Sequence, residues 1–135
     1  KGILQSNAIV KLLNAELIYK PEAHSYDDFL KLPPSLILTQ TDATNNIGAS
    51  VNDSTGTALL NVSPVIDNIY GVNTYYRFNI TSYINTLLTT PGSEKSGFFL
   101  MESGDPTVQL NRAVIGNAHS NSKTQLQLTV AVVNN

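Results

Sequence analysis

The stretch between residues 75 and 100 changes its hydrophobic period twice, and it restricts the fold more than any other part of the chain. Its first apolar residues alternate with polar ones, as in a strand with one buried face: Tyr76, Phe78 and Ile80. The next apolar residues follow helical spacing: Ile84, Leu87 and Leu88. Pro91 and Gly92 end this pattern before a second strand begins at Phe98. The sequence therefore predicts a short helix, near residues 81–89, that interrupts a sheet.

This predicted helix has a structural role that needs no ligand. Its three apolar residues can cover one open end of a β-sandwich, with Tyr83 packed at the rim. We also expect the Thr81 side chain to accept a hydrogen bond from a free amide of the first helical turn. Burial of apolar side chains thus accounts for the pattern, and it leaves Tyr75 and Arg77 facing outward.

Short strands separated by turn residues account for most of the remaining chain. We predict strands over these ranges: 12–20, 35–40, 57–62, 76–80, 97–102, 113–115 and 125–133. Residues 65–70 form either a further strand or a loop, and residues 41–56 form either a long surface loop or a ragged hairpin. About seven or eight strands with one helix favour an all-β, antiparallel, jelly-roll-like β-sandwich over an α/β sheet, which needs helices between most strands. We assign residues 1–135 to a single such domain.

The composition predicts a surface that is polar but weakly charged. Charged residues make up 13% of the chain, about half the usual share, whereas Asn, Thr and Ser together fill 40 of the 135 positions. Such a surface is common in extracellular β-rich modules. The net charge is −2 and the eight basic residues are scattered, so we expect no nucleic-acid partner. The absence of cysteine excludes disulfides and thiolate metal sites.

Six short motifs, taken together, resemble one domain of a known protein family. They are NAELIY at 14–19, PPSLIL at 33–38, YRFNITSYI at 76–84, SGFFL at 96–100, NRAVIG at 111–116 and LQLTV at 126–130. In this order they resemble the carboxy-terminal domain of a Bacteroidetes lipoprotein family, domain of unknown function 4270. The strand, helix and following strand also resemble the DNRLRE domains of bacterial cell-surface proteins, which are jelly rolls related in shape to carbohydrate-binding modules. These are fold motifs and not catalytic ones.

The resemblance implies an exported parent protein, anchored at the outer membrane or cell surface by a lipidated cysteine upstream of Lys1. It carries over no functional residue. We therefore expect a non-catalytic structural or interaction module that does not itself insert into a membrane, with surface proteins or polysaccharide as partners. The alternative is a carbohydrate-binding module, with calcium as a candidate cofactor. The chain departs from the family pattern at residues 69–74, where a glycine-rich approach is expected and Gly71 is the one glycine.

The candidate contacts for a carbohydrate are Tyr70, Tyr75 and Arg77. Flat aromatic rings cover the apolar face of a pyranose, and tyrosines have to supply them because the chain has no tryptophan. Strand alternation points Tyr75 away from Tyr76, and Arg77 borders the same polar face. The competing interpretation is that these are ordinary surface residues of a sheet, where β propensity favours tyrosine.

The candidate metal ligands are Asp42, Asn45 and Asp53, in a region that also contains Asn46 and Asn52. Carboxylate and amide oxygens suit calcium, and jelly-roll modules often bind it through loops. The spacing matches no EF-hand, and the preference of Asp and Asn for turns also accounts for these residues without a metal. Both interpretations stay open.

Two further groups of ionisable residues have structural explanations that we favour over catalysis. The first is the loop cluster of His24, Ser25, Asp27 and Asp28, where the aspartates are either solvated charges or an amino-terminal helix cap for Phe29 and Leu30. The second supplies candidates for the facing carboxylates of a glycosidase: Glu16, Glu94, Glu102 and Asp105. Acids at strand ends are usually solvated, so we predict that the domain is not an enzyme.

Ser54 is a candidate modification site. The tripeptide Asp53-Ser54-Thr55 is similar to the short motif at which Bacteroidetes O-glycosylate exported proteins. It lies in a predicted exposed loop, where such a site has to be. Protein from its native host would then exceed the mass of the sequence.

Overall fold

Two antiparallel sheets and one helix make up the computed structural model. It describes residues 9–42, 44–90, 97–104, 111–117 and 119–133. Its elements are β1 (Ile9–Tyr19), β2 (Leu36–Thr41), β3 (Ile47–Ser50), β4 (Asn61–Val62), β5 (Tyr76–Asn79), α1 (Thr81–Thr89), β6 (Phe98–Glu102) and β7 (Gln125–Val133). The first sheet has the order β5-β1-β7, and in the second β2 pairs with β3, β4 and β6. The predicted all-β antiparallel sandwich with one short helix is confirmed.

One hydrophobic core lies between the sheets. Its buried members on the strands are Ala15 and Leu17 of β1, Leu36 and Leu38 of β2, and Tyr76 and Phe78 of β5. The ring of Tyr19 meets that of Phe78 edge to face, with centroids 5.9 Å apart, which is a favoured aromatic geometry. On β5 these buried positions alternate with the exposed residues Arg77 and Asn79, as the sequence predicts.

The region around β3 settles one open alternative and shortens one predicted strand. Residues 41–56 contain β3 paired with β2, so the hairpin interpretation is confirmed. The strand predicted over 57–62 is reduced to β4. The reason is that Asp53 donates its N–H to Ala58 and accepts hydrogen bonds within the same turn, so residues up to Ala58 belong to that turn.

Residues 65–70 form a turn, which decides between the two predicted alternatives. The carboxylate of Asp67 accepts backbone N–H groups that a strand would use for pairing. An isolated bridge joins Val65 to Tyr75. The range 113–115 also contains an isolated bridge in place of the predicted strand.

A β-bulge in β1 keeps its apolar side chains on one face. The register moves by one residue between two pairs, Leu12 with Val130 and Asn14 with Thr129. The extra residue is Leu13, whose side chain is half exposed. Leu12 and Ala15 can therefore both face inward although they are three residues apart.

Thr81 joins the start of α1 to β1 and does not cap the helix, so the capping prediction is wrong. The cap position is Ile80, whose side chain makes no cap bond, and the N–H of Thr81 itself donates to Asn79 Oδ1 at 3.1 Å. The Thr81 hydroxyl is engaged elsewhere: it accepts the N–H of Ala15 at 2.9 Å and donates to Asn79 Oδ1 at 2.7 Å. The N–H of Ile80 donates to the Ala15 carbonyl at 2.9 Å. The helix therefore begins as a continuation of the β1–β5 pairing.

The buried face of α1 differs from the predicted one. Tyr83 and Ile84 pack against the core, and Leu87 is half-buried. Leu88 is 71% exposed, so its predicted place in this face is wrong. Because the buried stripe begins at Ile80, before the helix, spacings of three, four and seven residues select Tyr83, Ile84 and Leu87.

Thr81→Val tests the link between α1 and β1. Valine has nearly the shape of threonine but no hydroxyl, so the partly buried N–H of Ala15 loses its acceptor. We expect the free energy of unfolding, measured by urea denaturation, to fall by about 1–3 kcal/mol. Thr86→Val, on the exposed side of α1, is the matched control, and equal losses in the two variants would contradict this role for Thr81.

Candidate functional site

The outer face of the first sheet carries a depression of about 160 Å³. It is lined by Ile18, Lys20, Asn73, Tyr75, Arg77, Gln125 and Gln127. Ile18 lies on this outer side because its neighbour Leu17 faces the core, and it is nevertheless buried. The depression therefore combines an aliphatic floor with amide, ammonium, guanidinium and phenol groups.

Tyr75 and Arg77 form one unit within this depression. The guanidinium carbon of Arg77 lies over the Tyr75 ring, 5.0 Å from its centroid, within the range of cation–π attraction. Arg77 Nε also lies 3.8 Å from Oε2 of Glu16. Both attractions keep the guanidinium beside the ring, so a ligand would meet the free part of the ring and the guanidinium together.

Tyr70 lies outside the depression that Tyr75 and Arg77 line. It follows Asp67 in a turn and is 72% exposed. The structure thus brings two of the three candidate sugar contacts together. Carbohydrate binding in the depression beside Tyr75 and Arg77 stays a prediction.

The loop before β2 is held in shape by Asp27. Its Oδ1 accepts the N–H groups of Leu30 and Phe29 at 2.7 and 2.8 Å, and these two bonds lower the pKa of the Asp27 carboxyl. Asp27 thus accepts the amides that the predicted cap would accept, but in a turn, and residues 27–32 form no helix. The turn leaves the Phe29 side chain 93% exposed.

The loop before β5 is held in the same way by Asp67. Its carboxylate accepts the N–H groups of Tyr70, Ile69 and Asn73 at 3.1–3.2 Å, and these bonds, led by that from Tyr70, lower the pKa of the carboxyl. The N–H of Asp67 donates to the Thr74 hydroxyl at 3.0 Å. Ile69 is 81% exposed at the tip of this loop.

The two aspartate-held loops lie side by side at one end of the sandwich, where β1 meets β5 and β2 meets β4. The Tyr26 hydroxyl joins them by hydrogen bonds to the Gly71 carbonyl and the Thr74 hydroxyl. Between them lies a cleft of about 500 Å³, whose apolar lining is Tyr26, Leu32, Pro34, Pro64 and Ile66. We call this cleft, with the exposed side chains of Phe29, Ile69 and Tyr70, the loop surface.

Asp42, a candidate calcium ligand, holds the turn between β2 and β3. Its carboxylate accepts the Thr44 hydroxyl at 2.7 Å and the Asn46 N–H at 3.0 Å, and these bonds, led by that from Thr44, lower the pKa of Asp42. Asn45, the second candidate, has a φ of 60° in this turn. Asn adopts this left-handed conformation more readily than most residues, which explains its presence without a metal.

Asp53, the third candidate, holds the turn on the other side of β3. Its Oδ1 accepts the hydroxyl and the N–H of Thr55 at 2.6 and 3.0 Å, and the hydroxyl bond is the main cause of its lowered pKa. Ser54 is exposed in this turn. Within the described residues, no three His, Asp or Glu side chains are grouped to share a metal ion. Calcium binding and modification of Ser54 stay predictions.

The acids considered for a glycosidase lie in different parts of the molecule. Glu16 is in the first sheet, in the ion pair already described, whereas Glu102 is on β6 of the second sheet. Glu94 and Asp105 lie outside the described residues. His24, from the loop cluster, is exposed, with a left-handed φ of 61°.

In the part of the chain that the structure covers, the helix α1 has nine residues, and no helix is long and apolar enough to cross a membrane. Compared with known proteins, the chain matches no family model, no curated protein and no solved structure.

Proposed function

We propose that this domain is a non-catalytic interaction module that binds a protein partner through the loop surface. The observation that carries the proposal is the high exposure of Phe29, Ile69 and Tyr70 on loops that the domain already holds in shape. Phe29 and Ile69 directly follow Asp28 and Asn68, which line the cleft, so both exposed side chains belong to loop segments that border it. Exposed apolar surface beside a cleft marks interaction sites. Each would contribute roughly 1.5–3 kcal/mol on full burial against a partner.

The hydrogen bonds inside the loops favour binding further. Asp27 and Asp67 order both loops before a partner arrives, and Tyr26 joins them. Ordering that is complete in the free protein does not have to be supplied by the partner, so less conformational entropy is lost on association. Asp28 and Lys31 also line the cleft and give it the polar rim typical of protein interfaces.

Photo-crosslinking in the cells that produce the protein tests this surface. A benzophenone amino acid at position 29 or 69 should give the same discrete adduct, because both loops border one cleft. In a Phe29→Ser background, the adduct from position 69 should fall severalfold, while the free energy of unfolding changes by less than about 0.5 kcal/mol.

Leu88 provides the matched control, since it is an exposed leucine on α1. The photo-reactive residue at position 88 should give no such adduct. The proposal is wrong if positions 29 and 69 give no adduct, or give the same products as position 88.

We propose further that the parent protein is exported and lipid-anchored at the outer membrane or cell surface. The family resemblance and the polar, weakly charged composition support this location. The full-length gene product should incorporate a palmitate analogue and be cut by protease added to intact cells. A product that neither takes up the lipid nor is cut would contradict it.

A carbohydrate site in the outer-face depression is the second candidate function. The observation that favours it is the grouping of an aromatic ring, a guanidinium and two glutamine amides, Gln125 and Gln127, around one cavity. Sugar hydroxyls need donors and acceptors at short range, and amides supply both. The free part of the Tyr75 ring can cover the apolar side of a pyranose.

Titration calorimetry against a polysaccharide panel, with and without calcium, tests the second candidate. Saturable binding should be lost in Tyr75→Ala and kept in Tyr70→Ala, because Tyr70 is outside the depression. Loss in the Tyr70 variant alone would move the sugar to the loop surface. No measurable heat of binding with any polysaccharide of the panel would contradict carbohydrate binding.

A further inference from the structure

The last strand, β7, lies at the edge of the first sheet. Within the described residues its one strand partner is β1. Among the described residues, one row of its backbone N–H and C=O groups therefore has no strand beside it, as at the edge of a sheet. β7 is also long for an edge strand, at nine residues.

The inner face of β7 is apolar and only half covered. In the register with β1, Leu126 lies opposite Leu17 and Leu128 lies opposite Ala15. These β7 side chains are therefore on the face of the first sheet that packs against the core. Leu17 and Ala15 are buried, yet the inner residues of β7 are about half exposed: Leu126 52%, Leu128 52%, Val130 46% and Val132 52%. The second sheet thus covers β1 and leaves four aliphatic side chains of β7 in contact with water.

β7 lacks the features that keep edge strands from pairing. Natural edge strands are usually short, or they carry a charge, a proline or a bulge that blocks another strand. The nine residues QLQLTVAVV contain no charged residue, no proline and no glycine. The residues that alternate with the aliphatic ones on the outer face, Gln125, Gln127 and Thr129, are uncharged as well. Two copies of this strand would therefore meet without like-charge repulsion.

We propose that β7 pairs with β7 of a second copy of this chain, antiparallel about a twofold axis at Thr129. In this register Leu126 lies opposite Val132 of the other copy, and Leu128 lies opposite Val130, all on one face of the joined sheet. The two three-stranded sheets become one sheet of six strands. The alternating sequence is thus complementary to itself, and the half-exposed side chains gain the lateral neighbours that they lack.

The area of this contact is that of a weak but specific dimer. Nine paired residues give a contact roughly 30 Å long. With four half-exposed aliphatic side chains and one backbone edge from each copy, the surface removed from water is on the order of 1,000 Å², at the lower limit for a specific interface. We therefore expect a dimer that dissociates on dilution into the low micromolar range. The loop surface is not used, so this inference is independent of the proposed function.

Sedimentation velocity over a range of concentrations tests the pairing. The species at several hundred micromolar should have twice the chain mass of 14.6 kDa, and the monomer should dominate on dilution. Leu128→Lys should abolish the dimer, because it puts two charges beside each other near the axis, whereas Leu88→Lys should leave it intact. A monomer at every concentration, or equal effects of the two variants, would overturn the proposal.

Single-cysteine variants test the register, since the chain has no cysteine of its own. In Thr129→Cys the two thiols face each other across the axis, at the Cα separation that a disulfide requires. In Gln125→Cys they are about 27 Å apart, because position 125 pairs with position 133. Under mild oxidation Thr129→Cys should form a covalent dimer at least about tenfold faster than Gln125→Cys. Equal rates would overturn the pairing even if Leu128→Lys failed to fold.

Discussion

Replacing Phe78 with alanine is expected to lower the free energy of unfolding by about 3–5 kcal/mol. Phe78 is fully buried on β5, its ring meets that of Tyr19 edge to face, and it lies opposite Leu17 in the β1–β5 register. Truncation to alanine removes the apolar contacts of the Phe78 ring and leaves a cavity in the core. Urea denaturation followed by circular dichroism measures the loss.

Leu88→Ala is the matched control for the core variant. It removes three carbon atoms from a residue that is 71% exposed, and we expect a change within about 0.5 kcal/mol. Because a domain of this size is stable by about 5–15 kcal/mol, Phe78→Ala alone can leave a large unfolded fraction. Phe78→Leu keeps more of the apolar volume, so its loss should be smaller and measurable in any case. A loss from Phe78→Ala no larger than that from Leu88→Ala would contradict the central place of Phe78.

Replacing Tyr76 with phenylalanine should lower the free energy of unfolding by about 1–3 kcal/mol at neutral pH. The buried Tyr76 hydroxyl donates to the Pro33 carbonyl at 2.7 Å, across the core from β5 to the loop before β2. Phenylalanine fits the same space but leaves that buried carbonyl without its donor. Urea denaturation at pH 7 measures the loss.

Alkaline pH should change the difference between wild type and Tyr76→Phe. Burial, with a contribution from the charge of Glu102, raises the pKa of Tyr76 above its ordinary value of 10.0. The unfolded chain therefore releases the Tyr76 proton near pH 10 while the folded protein still holds it, so wild-type stability is complete below pH 10 and falls above it. The fall from this one group is about 1.4 kcal/mol per pH unit.

The variant lacks this one titrating group, so the two stability curves should converge above pH 10. Burial also raises the pKa values of Tyr19 and Tyr83, and both tyrosines remain in the variant, so it too should lose stability at high pH, with a smaller slope. Urea denaturation from pH 7 to pH 11.5 measures both slopes. Parallel curves above pH 10 would show that Tyr76 does not titrate as its burial implies.

The stretch that changes period shows how far local sequence predicts this fold. The helix spans Thr81–Thr89, where the apolar spacing predicts it, with β5 before it and β6 after it. The two errors in this stretch concern Thr81 and Leu88. The role of Thr81 is set by Ala15, which is 66 residues away in the sequence. Periodicity reports which faces are apolar, but it does not report which distant strand meets them.

The candidate sites could be predicted only where one strand determines them. Alternation along β5 is sufficient to place Arg77 on the outer face beside Tyr75. Tyr70 could not be placed in this way, because its position follows from the hydrogen bonds of Asp67 and not from a strand period. Asp42 and Asp53 are close in the sequence, which suggests one set of metal ligands. In the structure β3 lies between them, and each holds its own turn.

The loop surface has a sequence signal, but a weak one. In both loops an aspartate is followed two positions later by a large apolar residue, as at Asp27 and Phe29 and again at Asp67 and Ile69. The aspartate predicts a side-chain turn in each loop. Whether the apolar residue then points outward depends on the tertiary structure, since Leu32 in the first of these loops is buried in the core.

The central position of β1 also bears on when the domain can fold. This strand is at the start of the described chain, yet its two neighbours in the sheet are β5 and β7, the latter at the other end of the chain. Folding therefore has to close long loops before the first sheet gains its contacts, which is typical of slow, millisecond-to-second folding. A ribosome or a secretion channel releases the chain amino terminus first. β1 therefore cannot pair with β7 until nearly the whole domain has emerged. The first sheet can therefore be completed only after β7 has emerged, which makes the domain fold as one late unit and not strand by strand.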